Sequence, residues 1–299
     1  MKEIKIPTKE HYALRARHFI PAVARAHTVV INPATGVRQD FYGNFAEFLS
    51  TRGFQVYTYD YRGIGLSKPP ATLRRCLVSL MHWGEVDLTA MIRYARERHP
   101  GNRLTLLGHS IGGQLIGTSS EAIHADNIVV IASQTPYWKH YRGFTGIKVW
   151  LLWNFLIPVL TRIWGYFPAK KLGLFEDLPA PAALQWSRWG KTRHYMFHEF
   201  PSKLKLFNSL RQRALAYSFS DDPFAPREAV EDLLQYYRNL NIRHRHFRPQ
   251  DVNLNSIGHF AFFRKSSKEI FWEDIASWLS EEMADAQNGA RQKLSNADL

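Results

Sequence analysis

"LLGHSIGGQLIG", residues 106–117, sets Ser110 among four glycines, between a short apolar run and a helical pattern. Small residues here could simply let a helix lie close to a strand. Alternatively, Ser110 is a nucleophile raised on a sharp turn. Gly108-His109-Ser110-Ile111-Gly112 fits the pattern G-x-S-x-G, in which serine sits between a strand and a helix and glycines admit close backbone approach. "RLTLL" (103–107) reads as a buried strand running into it, and the residues after Ser110 read as a helix. That context favours the nucleophile.

Working outward, "EIKIPT" (3–8) and "YALRARHFI" (12–20) read as early strands, and "HTVVIN" (27–32) as a short buried one. Phe41, Phe45, Phe48 and Leu49 fall on one helix face, with Gly53 placed to end the helix. "FQVYTYD" (54–60) is a strand, and Leu88, Met91, Ile92 and Ala95 mark the next helix, stopped by Pro100-Gly101. "NIVVIAS" (127–133) and "RALAYSFS" (213–220) are later strands separated by a long insertion. A helix is expected around 227–240, a strand around 242–248, and a last helix presenting Phe271, Ile275, Trp278 and Leu279. Strands alternating with helices imply an α/β fold: a mostly parallel central sheet with helices on both faces. The expected division is a core over 1–134 and 211–284, a helical cap over 135–210, and a loose tail over 285–299.

In such sheets reactive groups gather beyond the carboxyl ends of the strands. Those ends deliver Ser110, the pair Asp221 and Asp222, and His259 within "IGHFAFF" (257–263). Serine needs a base to take its proton, and histidine titrates near neutrality. His259 is singled out by its place between the last strand and the last helix. The base in turn needs an acid to fix its tautomer. Asp222 opens D-P-x-x-P, a tight loop into a helix, and is preferred; Asp221 stays as an alternative. The chain order Ser, Asp, His agrees with the G-x-S-x-G architecture. An oxyanion needs two backbone N–H donors. One is expected from Ile111 and the other from the loop after "HTVVIN", where Pro33 has no N–H. Ala34 is favoured there, with Thr35 open. His109 should point away from the reaction. His244 and His246 could share a strand face, but no third metal ligand accompanies them, and a basic edge strand is the simpler reading.

"GHSIGG" (108–113), "DYRGIGLS" (60–67), "SDDPFAP" (220–226) and "IGHFAFF" together resemble serine hydrolases of the α/β-hydrolase fold. The likeness is to a bacterial esterase-like branch, some of whose members carry the serine aminopeptidase label. It extends over roughly residues 1–280. It implies an acyl-bond hydrolase, a carboxylic ester being the first choice of substrate, working through Ser110, His259 and Asp222. Amide cleavage or acyl transfer would use the same residues. One departure stands out: many relatives carry His-Gly where this chain has Asn32-Pro33.

The chain has 299 residues, a net charge of +13 and one cysteine, Cys76, which excludes an internal disulfide. No phosphate-binding loop, dinucleotide fingerprint or cysteine-based metal site occurs, so no cofactor and no metal are expected. The basic residues are scattered and no nucleic-acid motif accompanies them, so a nucleic-acid partner is not expected. The N-terminal stretch has no apolar core of the signal-peptide kind, and cytoplasm is the default expectation. The insertion holds six of the nine tryptophans. They could line an apolar acyl pocket, build the cap's own core, or face a membrane. "VWLLWNFLIPVLTRIWGYF" (149–167) approaches the length of a bilayer span. A central arginine there costs roughly 2.5–3.5 kcal/mol on insertion scales. Asn154, Pro158, Thr161, Arg162 and Gly165 fall on one narrow face. A kinked, very apolar helix is expected, in a buried cap or on a membrane surface, and not a span.

Overall fold

β3 (His27–Asn32) is buried along its whole length, because its β-branched residues serve both faces of a sheet at once. Val29 and Ile31 enter one hydrophobic cluster and Val30 the other. β5 (Arg103–His109) and β6 (Asn127–Ile131) divide in the same way, Leu106 and Ile128 to one side, Leu107 and Val129 to the other. The structure is a computed structural model and describes residues 1–10, 12–69 and 72–281. The tail expected over 285–299 lies outside the described residues.

Eight strands make the central sheet, in the order β1-β2-β4-β3-β5-β6-β9-β10. β1 (Lys2–Pro7) and β2 (Ala13–Phe19) form an antiparallel hairpin edge, and β2 runs antiparallel to β4 (Gln55–Tyr59). From β4 through β9 (Arg213–Phe219) to β10 (Asn241–Phe247) every neighbouring pair is parallel. The helix Gly43–Thr51 and the last helix, residues 273–281, cover one face. The helix over residues 80–98 covers the other with Met91, Ile92 and Ala95. The chain thus has the α/β-hydrolase architecture that its motifs implied.

Two local expectations shift. Phe41 lies in a 3-10 turn, Gln39–Tyr42, ahead of the helix it was expected to join. The helix expected around 227–240 stops at Leu234. Its end unwinds into i→i+3 turns so that Tyr237 can turn inward, where its hydroxyl donates to Gly113 O at 2.6 Å.

The insertion begins with a helix from Gly143 to Trp164 that widens into a π turn at Leu152–Leu156, just before Pro158. Proline supplies no N–H, and a wide turn is the usual accommodation. The short strands β7 (Tyr166–Phe167) and β8 (Leu178–Pro179) pair, and the helix Ala180–Lys191 follows. Trp153, Ile157 and Trp189 join the hydrophobic cluster that also contains Met91 and Leu106. These tryptophans are core. The rest of the long helix behaves differently, because only 17% of its most apolar window is buried.

Candidate active site

Ser110 is the hinge between β5 and the helix Ile111–Leu115, and its backbone is held at φ 53, ψ −120. That region is strained for any residue with a side chain, and strain of this kind concentrates at functional positions. The glycines around it answer to contact. A Cβ on Gly108 would collide with the backbone of Gly113, and one on Gly112 with the carbonyl of Asn32. The turn is therefore tight because the helix crosses directly over β5 and the end of β3.

His259 Nδ1–H donates to Asp222 Oδ2 at 2.8 Å, since a carboxylate oxygen can only accept. The other oxygen of Asp222 accepts the N–H groups of Phe224 (2.8 Å) and Ala225 (3.0 Å). Asp221 does something else: its carboxylate accepts the N–H groups of Ile257 and Gly258 at 2.8 and 3.0 Å, pinning the loop that carries His259. Ser110, Asp222 and His259 are 7%, 4% and 6% exposed. Among the described residues neither the Ser110 hydroxyl nor His259 Nε2 takes a hydrogen-bond partner, so both remain unspent. Serine–histidine contacts are commonly loose before substrate binds.

Ile111 is the first residue of its helix, so its N–H has no partner within it. The second expected oxyanion donor is corrected. Ala34 N–H is already given to the hydroxyl of Tyr42 at 2.8 Å. Thr35, the alternative, has an N–H with no partner among the described residues, and its hydroxyl is a buried oxygen without one. Asn32, standing where relatives carry histidine, accepts from Tyr59 at 2.9 Å and leaves its buried amide nitrogen unpartnered.

Tyr42 was not singled out in the sequence. Its hydroxyl also meets His109 Nδ1 at 2.9 Å, and His109 Nε2 meets the carbonyl of His259 at 2.9 Å. Burial, and next the neighbouring His259, hold the His109 pKa well below its usual value, so the ring is neutral. A carbonyl can only accept, so Nε2 carries the proton and Nδ1 accepts from Tyr42. The resulting chain runs Ala34 N–H to Tyr42 O–H to His109, and from His109 N–H to the His259 carbonyl. It ties the loop after β3, the residue before Ser110 and the loop bearing His259 to one another. His109 points away from the reaction, as expected.

The "DYRGIGLS" segment supports the same corner from below. Asp60 accepts from Gln39 N at 2.7 Å and Leu66 N at 2.9 Å. Arg62 is buried against Asp87, with Nε 2.6 Å from Oδ1. The insertion reaches over it: Glu176 N donates to Gly36 O at 2.9 Å, and Tyr195 donates to Gln114 at 2.5 Å. Phe224 packs on the His259 ring, 5.3 Å between centroids. A cavity of about 250 Å³ lies behind Asp222, between the acid loop and Tyr141, Arg142 and Thr145 of the insertion.

His244 and His246 both hydrogen-bond the Ser218 hydroxyl, at 2.7 and 2.8 Å, on the edge strand β10. No group of three metal-ligating side chains occurs among the described residues.

The family pattern described as serine aminopeptidase, S33, matches residues 24–168, just under half of the chain. No curated protein matches the sequence. Solved structures do. A thermostable carboxyl esterase from Bacillus coagulans superposes with a TM-score of 0.64 at 10% identity, covering 94% of this chain and 98% of that one. An esterase from Pyrococcus furiosus gives 0.60 at 16% identity, covering 94% and 90%. A monoacylglycerol lipase from Paleococcus ferrophilus gives 0.58 at 17% identity, covering 89% and 98%. With the parallel sheet, the strained serine turn and the His259–Asp222 pair in place, this chain has the α/β-hydrolase fold.

Proposed function

We propose that the chain is a serine hydrolase that cleaves acyl bonds, carboxylic esters first among them, through Ser110, His259 and Asp222. The observation that carries the reading is the 2.8 Å bond between His259 and Asp222 beside a serine held at φ 53. His259 Nε2 takes the Ser110 proton as Oγ attacks the acyl carbon, and Asp222 stabilises the imidazolium. The N–H groups of Ile111 and Thr35 receive the negative oxygen. His259 then gives its proton to the departing alcohol, leaving an acyl group on Ser110. Water, deprotonated by His259, attacks that ester and releases the acid. An amine leaving group or a second alcohol acceptor would pass through the same acyl-enzyme.

The substrate we favour has an apolar acyl chain. The structural neighbours named above are esterases and a monoacylglycerol lipase, and the residues beside the pair are aromatic, Phe224 and Phe260. In this reading residues 135–210 act as a cap, consistent with the low exposure of Ser110 and the contacts of Glu176 and Tyr195. Labelling with a fluorophosphonate, read by intact mass and peptide mapping, tests it. One adduct on the Ser110 peptide, absent in Ser110→Ala, is expected. No adduct with or without detergent, or the same adduct in Ser110→Ala, would reject it.

A further inference from the structure

We propose that the outward face of the helix Gly143–Trp164 is a docking surface for anionic phospholipid bilayers, and that the protein lies on such a membrane by this face. The helix has two apolar stripes and only one is used by the protein. Gly146, Trp153, Ile157 and Thr161 turn inward and are buried. On the other side Phe144, Ile147, Leu151, Phe155, Val159 and Ile163 follow one another at steps of three or four residues, all exposed. Steps of four advance around an α-helix, and the wider π turn at Leu152–Leu156 takes up part of that drift. Phe144 and Ile163, at the two ends, are each 69% exposed. Eight of the 17 exposed large hydrophobic residues among those described belong to this helix. Such concentration marks an interaction surface, whereas scattered exposed side chains would not.

Charge decides the occupant. No Asp or Glu occurs between Asp126 and Glu176. Lys139, Lys148, Arg162 and Lys171 pair with no carboxylate among the described residues. Three of the four lie over aromatic rings: Lys148 over Phe144 at 4.8 Å, Lys171 over Trp164 at 3.6 Å, and Lys139 over Trp138 at 5.4 Å. Stems against apolar rings with ammonium groups at the rim is the arrangement of side chains that reach from an apolar layer to charged headgroups. A second copy of the chain would bring the same unpaired cations face to face. An anionic lipid surface supplies the opposite sign.

The helix lies on the membrane and does not cross it. Trp153 donates to Pro136 O at 3.1 Å and accepts Ser187 Oγ at 2.5 Å through its carbonyl, so spanning would tear the inner stripe out of the core. Its first turn, with Arg142 and Thr145, also walls the cavity that reaches Asp222. Any passage of an acyl chain from the bilayer to the site rests on the hydrolase reading, whereas docking does not.

Co-sedimentation of the full chain with extruded vesicles tests the proposal. Binding is expected to phosphatidylcholine vesicles containing phosphatidylglycerol, to weaken with salt, and to be lost without the anionic lipid. The double variant Phe155→Glu, Ile163→Glu should bind at least about tenfold more weakly, because it removes two apolar side chains from the layer and adds repulsion. Ser110→Ala should bind as the parent does, which separates this result from the fate of the hydrolase reading. A urea melt of the double variant in buffer should match the parent, which shows that it is folded. Equal binding by the double variant, no binding to anionic vesicles, or a dimer in solution that the double variant dissolves would each overturn the proposal.

Discussion

Replacing Asp222 by Asn asks the most of the site, because the structure decides which way the new amide must face. Oδ1 of Asp222 already accepts two backbone N–H groups, from Phe224 and Ala225. An asparagine has one acceptor oxygen, and it must stay there; turning the amide over would set its NH2 against two donors. The NH2 group therefore lands where Oδ2 now meets His259 Nδ1. It can only donate, so Nδ1 must accept and the ring proton moves to Nε2. His259 can then no longer take the Ser110 proton. A base locked in the wrong tautomer loses about 10⁴-fold in rate, roughly 5 kcal/mol of transition-state stabilisation. Stability should change little, by about 1 kcal/mol, since the two backbone bonds survive. The assay is the rate of fluorophosphonate labelling beside a urea melt. Asp221→Asn is the companion: its carboxylate holds Ile257 and Gly258, so the melt should move more and the labelling rate less. Labelling of Asp222→Asn within tenfold of the parent would refute the assignment, and a larger loss in Asp221→Asn would transfer the role to Asp221.

Tyr42→Phe strips the link between Ala34 and His109, leaving two buried polar groups unpaired at about 1–3 kcal/mol each. Slower labelling and a lower melting temperature are expected, and faster labelling would instead mean that a freed Ala34 N–H serves the oxyanion. Asp87→Ala leaves Arg62, 3% exposed, without its main buried partner. A loss of about 3–5 kcal/mol in urea melts is expected, and a loss under 1 kcal/mol would show that Glu10 alone suffices for Arg62. Burial pushes His18 and His27 down to about 4 from the usual 6.5. Between those values the unfolded chain binds protons that the folded one refuses, so stability should fall as pH drops from 6.5 towards 4. Melts that stay flat across that window would contradict the buried, neutral state of both rings.

The features legible in the sequence are those written in local pattern. The strand–Gly-x-Ser-x-Gly–helix run is decided within a dozen residues, because a tight crossing of backbones leaves room for nothing larger. The alternation of buried strands with amphipathic helices follows from the two periodicities of side-chain direction. The fold and the placing of Ser110, Asp221, Asp222 and His259 at the strand ends all came from such patterns. What tertiary structure decided concerns partners far apart in the chain. Asp221 and Asp222 are neighbours of identical chemistry, and only the return of the 257–259 loop, 37 residues on, gives one the backbone and the other the imidazole. Tyr42 and His109 are 67 residues apart, so no window could reveal that a core aromatic occupies the Ala34 N–H. The long helix makes the same point in reverse. Its residues are apolar on nearly every side, and hydrophobicity alone has no direction. Only packing around Trp153 determined which stripe entered the core and which was left facing out.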